Sequence, residues 1–91
     1  MQITGQRKSP EPCTESGWEA YDLLLAAPLS EEDIESLRRI EGSFLFLRQL
    51  KKPFFKIENH NYMIKGVLGD PFIRVGAHRD HLDILGGLKE L

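Results

Sequence analysis

The chain has 91 residues, with 12 Lys+Arg against 14 Asp+Glu, a net charge of −2, and 41% hydrophobic and 29% charged residues. A chain of this length forms one small domain that buries only roughly 60–65% of its unfolded surface, which leaves little room for a deep catalytic cavity and weighs against an enzyme. The single Cys13 cannot form an intramolecular disulfide and points to a reducing compartment, the cytoplasm. The first seventeen residues hold no signal-peptide core, and no window approaches the ~20 apolar residues of a membrane span, so no membrane partner is expected.

Residues 1–15 carry Pro10, Pro12 and scattered polar groups with no period, and read as a disordered arm preceding a single small domain at 16–91. Ser16-Gly-Trp-Glu19 fits a capping box, and Trp18, Tyr21, Leu24 and Leu25 recur at helical spacing. A first helix is therefore expected to about Ala27, with Glu19 and Asp22 on its wet side and Pro28 as its stop. Ser30-Glu-Glu-Asp33 is a second capping box, with three carboxylates at the positive end of the macrodipole. Ile34, Leu37 and Ile40 give this second helix its inward stripe, and Gly42 ends it.

From Phe44 to Val75 the period shifts, and aromatic and β-branched residues broken by turn formers predict antiparallel strands at about 44–50, 54–59, 62–68 and 72–76. Phe44-Leu-Phe-Leu-Arg-Gln-Leu-Lys-Lys also satisfies a buried helix. Asp80 caps a last short helix carrying Leu82, Leu85, Leu88 and Leu91, interrupted by Gly86-Gly87 at a cost of roughly 1 kcal/mol per glycine. The expected class is α+β: two N-terminal helices on a three- or four-stranded antiparallel meander, with a short C-terminal helix.

Charge is segregated along the chain. Residues 1–42 hold four basic and nine acidic side chains, net −5, and residues 43–79 hold seven basic and two acidic, net +5. If 60–61 and 69–70 are two-residue turns, Lys56, Lys65 and Arg74 fall in one row across three strands, opposite the face of Phe55, Ile57, Ile64, Ile73 and Val75. Like charges in such a row repel by a few tenths of a kcal/mol per pair, about 0.2–0.5, and are better tolerated beside an anion. Solvation of an exposed sheet face explains the same row without a ligand. Arg48, Lys51, Lys52, Lys56, Lys65 and Arg74 are the candidate binding residues.

No catalytic constellation emerges. Cys13 lies in the arm, far in sequence from any histidine that could activate it. His78 and His81 with Asp80 and Asp83 do not supply a third ligand by spacing alone, and Gly66, Gly69 and Gly76 form no phosphate loop, so neither metal nor cofactor is expected. The leading expectation is a non-catalytic interaction module that docks a protein partner or its own copy through the basic sheet face or the leucine-rich C-terminal segment. The alternative is a winged-helix nucleic-acid binder, with 44–52 as a third helix and 54–76 as its wing. Its apolar start and the net negative charge disfavour nucleic acid.

Overall fold

Alternation between Phe54 and Val75 places every second side chain on one face, and the sheet grows outward from that core. The computed structural model describes residues 1–10 and 17–90. Six strands, β1 (Ile3–Lys8), β2 (Trp18–Leu25), β3 (Ser43–Leu47), β4 (Phe54–Glu58), β5 (Tyr62–Val67) and β6 (Phe72–His78), form one antiparallel sheet in the order β1-β2-β6-β5-β4-β3. Two short helices, α1 (Glu31–Ser36) and α2 (Asp83–Lys89), follow β2 and β6, with single 3-10 turns at Leu37–Arg39 and Arg79–His81. The Cα radius of gyration, 12.2 Å, matches that of a compact chain of this length. No helix among the described residues is long and apolar enough to cross a membrane.

The expectation of two N-terminal helices on a smaller meander is overturned. Trp18–Leu25 is a strand lying between β1 and β6, not a helix. A strand with neighbours on both sides and apolar residues toward both faces loses clean alternation, and its hydrophobic pattern then imitates a helical one. Residues 3–8, assigned above to a disordered arm, form the edge strand β1. Their polar composition suits an edge, where one side faces water. Residues 11–16, with Cys13 and the Ser16 half of the first capping box, lie outside the described residues.

The second capping box is as expected. The Ser30 hydroxyl accepts from the Asp33 amide at 3.2 Å, and the Asp33 carboxylate accepts from the Ser30 amide at 3.0 Å. The helix it starts is shorter than the period suggests, ending at Ser36, and Gly42 instead lets the chain pass close to Glu58 on entering β3, at φ 142°. Ser43–Leu47 is a strand, so the third helix required by a winged-helix domain is absent and that reading falls. At the C-terminus Asp80 is not a cap: His78 Nδ1 accepts from the Asp80 amide at 3.1 Å, and α2 starts three residues later.

Both helices pack on one face of the sheet. Ile34 and Leu37 from the α1 region and Leu85 and Leu88 from α2 close over Leu23, Phe55, Ile57, Ile64, Ile73 and Val75. Leu29 ties the β2–α1 connection to the β5–β6 turn: its amide donates to the Asp70 carbonyl and its carbonyl accepts from the Gly69 amide, both at 2.8 Å. The Leu29 side chain reaches the sheet at Gly66, where an added Cβ would lie 2.8 Å from the Phe55 ring and 3.1 Å from both Leu29 and Ile73. All three neighbours are buried, so none can swing aside.

Gly66→Ala is expected to lower stability by about 1–3 kcal/mol through overpacking, while Gly87→Ala, which meets nothing within 4 Å, raises it by about 1 kcal/mol. Urea unfolding of the two variants reads this opposition directly. Ser30→Ala costs about 1 kcal/mol by removing the cap. Burial pushes the Asp33 carboxyl up, but the Ser30 hydrogen bonds and the Met1 ammonium 3.3 Å away outweigh it and hold it below its ordinary value. A depressed folded value stabilises above the unfolded carboxylate range and is lost as pH falls through it. The acid limb of the stability curve is therefore shallower in Ser30→Ala, as a pH series of urea midpoints will show.

Candidate functional site

The second face of the sheet carries no described helix, and two rows of its side chains running across the strands stand out. In the first, strand register aligns Leu45, Lys56, Lys65, Arg74, Asp22 and Arg7. The row of Lys56, Lys65 and Arg74 read from the sequence is present, with the pairings 56 to 65 and 65 to 74. Structure extends it through Asp22 to Arg7. Both were invisible as site residues, because Asp22 looked like the wet side of a helix and Arg7 part of an arm.

Asp22 is fully buried, and each of its carboxylate oxygens has a guanidinium. Oδ1 accepts from Arg74 Nε at 3.0 Å and Oδ2 from Arg7 Nε at 3.2 Å. The same two guanidinium groups lie 5.6 and 5.8 Å from the ring centroid of Phe72, within cation–π reach. A carboxylate satisfied in this way can be buried in a central strand without an orphaned charge.

Lys65 has no such partner. It is half-buried, it sits between Lys56 and Arg74, and among the described residues no carboxylate or hydrogen-bond acceptor engages its ammonium group. Lys56, by contrast, reaches Glu58 at 3.6 Å. Beside this charged row runs an apolar one, two residues further along each strand: Leu47, Phe54, Val67, Phe72 and Leu24. All five are half-buried and none belongs to the core cluster on the helix side. Where the rows meet, Phe54, Lys65, Val67, Asp70, Phe72 and Arg74 border an open depression of about 360 Å³.

Other expected binding residues lie elsewhere. Arg48 points to the helix side, where it pairs with Glu35 at 2.9 Å and Glu31 at 3.7 Å and covers the Phe46 ring at 4.9 Å. Lys51 and Lys52 are exposed in the β3–β4 connection. The described leucines of the C-terminal segment turn inward, with Leu85 and Leu88 buried in the core and Leu82 packed against it. Also on the helix side, the Tyr21 hydroxyl donates to Glu19 at 3.0 Å; that bond, then burial and the Glu19 charge, hold the phenol above its ordinary value.

His78 and His81 stand edge to face, 6.2 Å between ring centroids. Among the described residues no three His, Cys, Asp or Glu side chains come together as a metal site would need. Comparison with protein families, with curated protein sequences and with solved structures finds no match to this chain.

Asp22→Asn leaves two guanidinium groups around a neutral side chain and is expected to cost about 3 kcal/mol. Lys65→Glu places an acid between two cations, replaces repulsion by attraction, and is expected to be neutral or stabilising by up to about 0.5 kcal/mol. Chemical denaturation of both variants checks the pair; a strongly destabilised Lys65→Glu would show that the lysine is needed for folding.

Proposed function

We propose that the protein is a non-catalytic binding module whose open sheet face docks an acidic, partly apolar segment of a partner protein. The observation that carries this reading is Lys65, a half-buried ammonium flanked by two cations and without a counter-charge among the described residues, next to a row of five half-buried apolar side chains. Holding like charges together is unfavourable in the free molecule. An incoming carboxylate relieves it, and the apolar row adds burial at roughly 25 cal/mol per Å² covered.

The chemistry favours protein over nucleic acid. Phosphate binding draws on several accessible cations and is lost with salt. In this row Arg74 and Arg7 hold Asp22, Lys56 reaches Glu58, and the adjoining row is aliphatic and aromatic. A second copy is disfavoured for a different reason, since two such faces meeting about a two-fold axis would bring cationic rows together. The lone Cys13 suits a reducing compartment such as the cytoplasm.

The test is a ¹⁵N-HSQC titration with a random glutamate–leucine copolypeptide at low and raised salt, alongside mixed-sequence duplex and single-stranded DNA. The expected outcome is copolypeptide shifts at the amides of Phe54, Lys56, Lys65, Phe72 and Arg74, weakened but not abolished by salt. Stronger, fully salt-sensitive shifts with DNA at the same residues would replace the reading by nucleic-acid binding. No shifts on this face with any probe would refute it.

A further inference from the structure

Given that the open face binds an acidic protein segment, the geometry of its rows points to the form of that segment. We infer that the occupant is an amphipathic α-helix of a partner protein, lying across the strands with its apolar stripe on Leu47, Phe54, Val67, Phe72 and Leu24 and an acidic flank centred on Lys65.

Direction follows from where the chemistry is uniform. Along the central strands the face changes in kind, as in β5, where Val67, Lys65 and Met63 follow one another on the same side, or β4, with Phe54, Lys56 and Glu58. A rod-like ligand laid along the strands would set its apolar stripe on Lys65. Laid across them, it keeps apolar on apolar and acid beside base over β4, β5 and β6.

Spacing then selects the helix. Neighbouring members of a row are about 4.8 Å apart, the distance between paired strands, whereas an extended peptide repeats a same-side residue every ~6.7 Å. A helix repeats each turn at about 5.4 Å, close enough to the strand spacing for successive turns to meet successive strands along the row. The two rows are separated by two residues of strand, about 6.7 Å. A helix about 10 Å across, seated on the apolar row, overhangs the cationic one.

The protein's own acidic helix does not meet this need. Glu31 and Glu35 are held by Arg48 and Arg38, Asp33 by Ser30 and the Met1 ammonium, and α1 is only six residues long. Charge complementarity therefore points to a separate acidic chain rather than to a second copy.

Two peptides of equal composition, each about 16 residues or roughly four turns, distinguish the forms. One carries Leu at i, i+3, i+4 and i+7 with Glu along one flank; the other alternates Leu and Glu. The helical pattern is expected to gain helical circular dichroism on mixing and to shift amides in four successive strands, at Phe54, Lys65, Phe72 and Leu24. Its affinity for the Lys65→Glu protein falls by about tenfold or more, while that variant's own unfolding midpoint does not fall. If the alternating peptide binds as tightly, or the shifts are confined to one strand or one sheet edge, the helix is refuted and the binding reading stands. If neither peptide nor the random copolypeptide shifts the face, the binding reading itself is lost.

Discussion

A six-stranded sheet has two faces, and the described residues hold two short helices with which to cover one of them. Both follow strands by tight connections and fold back to the same side, so their leucines and isoleucines meet the inward rows of β2, β4, β5 and β6. Everything on the other side is defined by that choice. The packed face tolerates no added volume at Gly66, where Leu29 and Phe55 converge on bare backbone. The other keeps two contrasting rows facing outward with no described helix over them.

The antiparallel register carries chemistry across the whole width of the sheet. Because same-side residues stand opposite one another in neighbouring strands, an aspartate in β2 is delivered between an arginine from β1 and an arginine from β6, fifteen and fifty-two residues away. That clamp allows a fully buried charge in a central strand. It also engages two of the row's cations, and Lys65 is left half-buried with no counter-ion among the described residues. Asp22 and Arg74 thereby serve the fold, while Lys65, beside two like charges, is the residue on which the proposed docking of an acidic segment rests.

A similar division holds on the helix side. Arg38 and Arg48 lie over the rings of Phe44 and Phe46, 4.4 and 4.9 Å from their centroids, and their charges are met by Glu35 and, for Arg48, also Glu31. Aromatic side chains at the edge strand β3 are shielded, and the acidic start of α1 is neutralised within the molecule. Charge segregation along the sequence is therefore resolved by internal pairing on both faces, with Lys65 the half-buried cation that meets no counter-charge among the described residues.

From sequence alone, local rules determined the Ser30–Asp33 cap, the β4–β5–β6 meander and its register, and hence the row of Lys56, Lys65 and Arg74, because each depends on residues close in the chain. Period-2 alternation and short turns suffice there. Tertiary structure decided the rest. Trp18–Leu25 became a strand because β1 and β6 pair with it from both sides, a circumstance that its own helical-looking spacing cannot express. Residues 3–8 became an edge strand because β2 offered them a partner, and polar edge strands carry little pattern of their own. Asp22 moved from an expected wet surface to full burial because Arg7 and Arg74, remote in sequence, arrive at its two oxygens, and only a completed sheet brings those three charges together.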